Sequence, residues 1–169
     1  SEKYVGNIMS ENGIKAHYIK PYTATTKDCD YSSQLKNILK RDFNSKEPNE
    51  AWCSDITYIW TKEDGFVYLT SIMDLYSRKI IAWTLSKTLE VKEVIKCLKT
   101  AKERRKSSKP VVIQSDRGVH YTSGKYWELT RDMKRSYSRK GNPWDNACIE
   151  SYHSLIKREW LNKYRINDY

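Results

Sequence analysis

Between Ala51 and Ile113 the hydrophobic period changes from two to 3.6 and then gives way to an unbroken apolar run, and this order restricts the fold most. Ala51–Thr61 is dense in aromatic and β-branched residues, Lys62-Glu63-Asp64-Gly65 reads as a hairpin turn, and Phe66–Asp74 resumes the strand pattern. A second polar turn, Leu75–Lys79, leads to KIIAWTL. Three strands joined by short turns predict an antiparallel meander. Val91, Val94, Ile95, Leu98 and Ala101 then share one helical face, with Lys92, Glu93, Lys96, Lys99 and Lys102 turned away. Pro110–Ile113 has the uniform apolarity of a strand covered on both faces, and Asp116 stands at its exit.

Further along, Ser123 is placed to cap a helix reaching about Thr130, Met133–Ser138 reads as a fifth strand, and a longer helix starts near Asp145. Strands followed by alternating helices and strands predict an α/β architecture, a mixed sheet flanked by helices with its sites at strand ends. Ahead of this core, Glu2–Asn12 reads as a short amphipathic helix stopped by Asn12-Gly13. Residues 16–50 read as a linker or arm, polar and without period over Ala16–Lys36, with Ile38, Leu39 and Phe43 as a small apolar anchor. Residues 51–169 are the expected core.

The formal charge of +10, from 31 Lys and Arg against 21 Asp and Glu, favours a polyanionic partner, because phosphates release counterions when cations neutralise them. Apolar runs are too short for a transmembrane helix, and the polar start lacks a signal peptide's apolar region, so a cytoplasmic protein is expected. Cys29, Cys53, Cys97 and Cys148 form no CxxC pair and share no ligand spacing with His17, His120 and His153. Neither a zinc site nor a disulfide framework follows from them.

Chemistry concentrates in three acids: Asp55 within the first strand, Asp116 after the apolar run, and Glu150 on the last helix. An acid in mid-strand is costly unless a cation or donor meets it. Phosphoryl transfer between nucleic-acid strands needs stabilised attacking and leaving oxygens, and carboxylates holding two hard divalent ions meet that need. Taken one at a time, each acid reads more readily as a turn residue or a solvated side chain, and only the flanking sequences reverse that. Neither GxSxG nor a P-loop is present.

Four stretches carry a family resemblance: Trp52–Tyr58 (WCSDITY), Asp74–Trp83 (DLYSRKIIAW), Ser115–Ser123 (SDRGVHYTS) and Ser138–Glu150 (SRKGNPWDNACIE), followed by Ser154-Leu155 and Lys157. Over Ala51 to about Leu161 the chain resembles the catalytic core of bacterial insertion-sequence transposases of the IS-three type, relatives of retroviral integrases with a ribonuclease H-like fold. Val5–Ala16 resembles the tail of the helix-turn-helix region that precedes that core, so residues 1–15 are assigned to it. The resemblance implies a five-stranded sheet and metal-dependent DNA cleavage with 3′-hydroxyl strand transfer. It makes Asp55, Asp116 and Glu150 the acid triad for two Mg²⁺ or Mn²⁺ ions. It also implies DNA ends and target DNA as partners, and a homo-oligomer assembled on DNA.

Lys157 stands at the family's basic position two turns after the glutamate, and Glu150, Ser154 and Lys157 share one helical face. Around the Gly141–Trp144 loop, Arg139, Lys140, Asn142 and Trp144, with Tyr121 near Asp116, are the remaining expected DNA contacts. Asp145 and Asn146 are expected to cap the Glu150 helix. The 33 residues between Asp116 and Glu150 are two fewer than the family usually has, which places the shortening around Thr130–Ser136. A nuclease of the same fold and a non-catalytic DNA-binding remnant stand as alternatives.

Overall fold

The computed structural model describes residues 1–14, 35–107 and 111–169. Most of the polar arm, Cys29, His17 and Pro110 lie outside the described residues. A five-stranded sheet forms the centre: β1 (Ala51–Thr61), β2 (Gly65–Asp74), β3 (Ile80–Ser86), β4 (Val112–Ser115) and β5 (Lys134–Tyr137), in the order β3-β2-β1-β4-β5. The first three are the expected meander, antiparallel with Tyr58 opposite Tyr68 and Leu69 opposite Leu85, whereas β4 and β5 run parallel to β1. Gly65, at φ +72°, closes the first hairpin in a conformation that side chains disfavour.

Helices cover both faces. The amphipathic pattern over Val91–Arg105 is α2, which connects β3 to β4 and buries Val94, Cys97, Leu98 and Ala101 with Trp52, Ile72 and Ile113. On the same side, α3 (Val119–Thr122) and α4 (Gly124–Leu129) add Tyr121 and Tyr126, with the Ser123 hydroxyl accepting from the Tyr126 amide as expected. On the other face, α5 (Ala147–Glu159) buries Ile149 against Ala51, Cys53 and Met73. N-terminal α1 (Glu2–Glu11) has no buried residue. No described helix is long and apolar enough to cross a membrane, and Cys53, Cys97 and Cys148 are free thiols.

Between α4 and β5 the chain makes a tight turn, where the Met133 amide donates to the Thr130 carbonyl. Register between β4 and β5 is unbroken from Val112–Lys134 to Ser115–Tyr137, so side chains keep their faces.

Residues 35–50 are built onto the core. Leu35 and Leu39 are buried, the Ile38 and Leu39 amides both donate to Ser136 Oγ (2.8 and 2.9 Å), and Tyr137 N–H reaches the Lys36 carbonyl at 2.9 Å. Of the expected apolar anchor, Leu39 and Phe43 pack on the core while Ile38 is exposed, its amide and not its side chain making the attachment. Leu35→Ala is expected to cost about 2–4 kcal/mol in urea unfolding, the range for truncating a buried leucine. A freely draped arm would show almost no change.

Candidate active site

Asp55 and Asp116 meet through the parallel pairing of β1 with β4. Bridges run Ala51–Val112, Trp52–Ile113 and Cys53–Gln114, and the same offset brings Asp55 level with Asp116 just past the end of β4. Because side chains alternate, Asp55 shares its face with Cys53, which packs beneath α5. The chain leaves β1 toward β2 on one side and leaves β4 toward β5 on the other, which opens a crevice where α/β folds commonly place ligands. Asp55 and Asp116 line a cavity of about 400 Å³ with Arg117, Gly118 and His120.

Each acid is held differently. Asp116 Oδ1 accepts the Gly118 amide at 2.9 Å, and a Cβ at residue 118 would come to 3.0 Å from that oxygen, so glycine lets this loop hug the carboxylate without pushing it aside. Asp55 Oδ2 lies 3.3 Å from His153 Nδ1 on α5. Glu150 occupies the first turn of α5 and is exposed.

Although solvent reaches its rim, Asp116 sits in the cavity mouth, and the protein around it raises its carboxyl above the usual value; the Gly118 N–H opposes this and the Asp55 charge adds to it. Glu150 is raised by loss of water, then by Asp55 and Asp116. Burial lowers Lys157, against the pull of Asp55. The structure thus brings all three acids and Lys157 within electrostatic reach. Among the described residues, no three His, Cys, Asp or Glu side chains converge tightly enough to hold one ion. The group is an open one, with Glu150 outside the cavity lined by the two aspartates.

Other expected contacts divide. Ser154 and Lys140 are exposed, Trp144 is 64 % exposed with the Arg41 guanidinium 5.9 Å over its ring, and Lys157 lines a cleft of about 600 Å³ with Tyr58, Trp60, Phe66 and Arg165. Tyr121 is not a surface residue: it is 1 % exposed and its hydroxyl pairs with Ser54 Oγ at 3.0 Å, so the α2 side of the core takes it away from DNA. The Arg139 guanidinium grips both oxygens of Asp145 at 3.0 Å, and Asn142 Oδ1 accepts from Arg41 at 3.1 Å.

Asp145 and Asn146 do not cap α5. Asp145 is buried beneath Arg139, Arg41 and Asn37, while Asn146 stands at the cap position without a side-chain cap bond. Two contributors escaped the sequence reading: Arg41, in a segment read as linker, and His153, which its place three residues after Glu150 signals.

A family comparison decides how this arrangement is classified: residues 45–143 match the integrase core domain. The chain belongs to the integrase core family. Within it, the transposase for insertion sequence element IS904 of Lactococcus lactis is 38 % identical over 162 residues, 95 % of this chain and 64 % of that protein. Transposase InsF for insertion sequence IS3A of Escherichia coli is 33 % identical over the same share of this chain and 56 % of its own length. The chain therefore spans somewhat over half the length of these relatives.

Among solved structures, the HTLV-2 integrase catalytic core domain in complex with magnesium superposes with a TM-score of 0.56 at 23 % identity, over 72 % of this chain and 74 % of that one. A chain of the simian T-cell lymphotropic virus intasome in complex with PP2A regulatory subunit B56 gamma gives 0.61 at 21 %, over 68 % of this chain and 41 % of that one. The sheet, in the order β3-β2-β1-β4-β5, is thus the ribonuclease H-like one that the family resemblance implied.

Proposed function

We propose that this integrase core cuts one DNA strand at the end of a mobile element and joins the freed 3′-hydroxyl to target DNA. The observation that carries the reading is the β1–β4 register that levels Asp55 with Asp116, beside a helix bearing Glu150. Hard oxygen donors suit Mg²⁺ or Mn²⁺, and a cation among them would offset what raises Asp116 and Glu150, burial foremost and the Asp55 charge in addition. Asp55, Asp116 and Glu150 are the residues proposed to hold two ions, which when bound polarise the phosphoryl oxygens and activate water or a 3′-hydroxyl.

The remaining roles belong to this chain's own side chains. Lys157 holds a phosphate beside the acids, where burial lowers its proton affinity and the Asp55 charge opposes that. Ser154, one turn before it, is exposed on the same helix, where its hydroxyl is placed to donate to the DNA backbone. Trp144 offers a stacking face at the rim, with Lys140 beside it on the backbone. Arg139 and Asn142 shape that loop through Asp145 and Arg41 rather than reading DNA. Residues 1–15 are proposed as the end of a DNA-binding region, and the protein as a multimer on paired DNA ends in the bacterial cytoplasm.

The test is incubation with DNA carrying the inverted repeats that flank the encoding locus, with and without Mn²⁺. Metal-dependent nicking followed by joined product is the expected result. A folded protein that binds this DNA but neither takes up Mn²⁺ nor cuts overturns the enzyme reading in favour of a DNA-binding remnant.

A further inference from the structure

We propose that His153 is a positioning residue, whose Nδ1–H holds one oxygen of Asp55 and ties the helix that carries Glu150 to the strand that carries Asp55. The inference rests on the metal-site reading and adds a residue to it.

His153 is 4 % exposed, on the buried face of α5, with Nδ1 3.3 Å from Asp55 Oδ2 and its ring centroid 5.6 Å from that of Tyr152. An ionised carboxylate only accepts, so the shared hydrogen resides on Nδ1. Nε2 is then left buried and without a partner among the described residues. Such an orphan atom destabilises a fold, and a phenyl ring would fill the same space without it. An imidazole here therefore makes sense through its other nitrogen, the one that faces Asp55.

The consequence for the site is geometric. Asp55 Oδ1 takes no hydrogen bond from the described residues, so the single bond to Oδ2 restrains the carboxyl plane while the second oxygen stays available. His153 also lies one turn after Glu150, which links the first acid of the group to the third. In this open arrangement the clamp restrains Asp55 before any cation arrives. A donor behind a ligating carboxylate orients it, and removing such a donor weakens metal affinity about 10–100-fold.

The experiment is Mn²⁺ calorimetry on the wild type, His153→Phe and His153→Asn, with thermal melts of each. Phe keeps ring volume and removes the donor; Asn restores an N–H near the Nδ1 position. The expected result is a loss of Mn²⁺ affinity of about 10–100-fold for His153→Phe, with no drop in melting temperature, and recovery of most of that affinity by His153→Asn. Wild-type affinity in folded His153→Phe overturns the proposal, as does a folded His153→Asn that binds as weakly as His153→Phe. A wild type that binds no Mn²⁺ defeats the metal-site reading. The clamp then stands or falls on ¹⁵N spectra of the metal-free protein: an Nδ1–H tautomer lost in Asp55→Ala supports it, and one unchanged by that substitution overturns it.

Discussion

Glu150→Gln is expected to slow strand cleavage at least about 10³-fold, because a misplaced ion forfeits several kcal/mol of charge stabilisation and each 1.36 kcal/mol is tenfold in rate. The same substitution is expected to raise the melting temperature of the metal-free protein at neutral pH. Although Glu150 stands at the surface, partial loss of water around its carboxyl, then Asp55 and Asp116, raises it in the folded state above its ordinary value of 4.5. Folding therefore works against the ionised form. That penalty is complete above the raised value and disappears as pH falls below the ordinary one. The advantage of Gln should fade accordingly, so melts at pH 7.5 and pH 4 separate a repelled acid from a merely exposed one. Equal melting temperatures at both values would remove the repulsion from the account. Activity gained by burdening the fold is the usual trade at such sites.

The parts of this architecture legible in the sequence are those set by local period. The aromatic and β-branched run of β1, the apolar stripe of α2 and the uniformly apolar approach to Asp116 each declare their element, because burial on one or two faces is written in alternation. The short α3 did not show, since four residues, Val119–Thr122, carry no period. Recognising the acids needed the flanking motifs. Their meeting depends on a pairing between β1 and β4 that links residues about sixty apart, and spacing along the chain cannot disclose such a register. The docking of residues 35–50 was legible only in part: Leu39 and Phe43 stood out as apolar anchors, whereas the amides that reach Ser136 Oγ and the Lys36 carbonyl are backbone groups common to every sequence, and the partners of Asn37 and Arg41 lie about a hundred residues away.

Asp145→Ala is the other substitution with a large expected effect, a loss of about 2–3 kcal/mol, which lowers the melting temperature of a chain this size by about 5–10 °C. Its carboxylate has no exposed surface and gathers Arg139 through three bonds, Arg41 through Nε and Asn37 through Nδ2. Both arginine side chains are themselves partly in water, at 39 % and 54 % exposure, so they re-solvate when the acid is removed and the loss stays below that of a fully buried pair. Foremost the Arg139 hydrogen bonds, then the Arg139 amide, Arg41 and Asn37, hold the Asp145 carboxyl well below the usual carboxylate range. Its contribution is therefore complete above about pH 4 and fades as acid carries the pH down toward the depressed folded value. The gap between wild type and Asp145→Ala in chemical denaturation should narrow below pH 4 and hold constant from pH 5 to 8. A gap independent of pH throughout would assign the effect to packing alone. Asp145 lies in the turn, Pro143–Asn146, that leads into α5, and it anchors residues 37 and 41, so the same carboxylate fastens the preceding segment to the helix bearing Glu150 and His153. Loosening it is expected to reach the acids, with weaker Mn²⁺ binding in a variant that alters none of them.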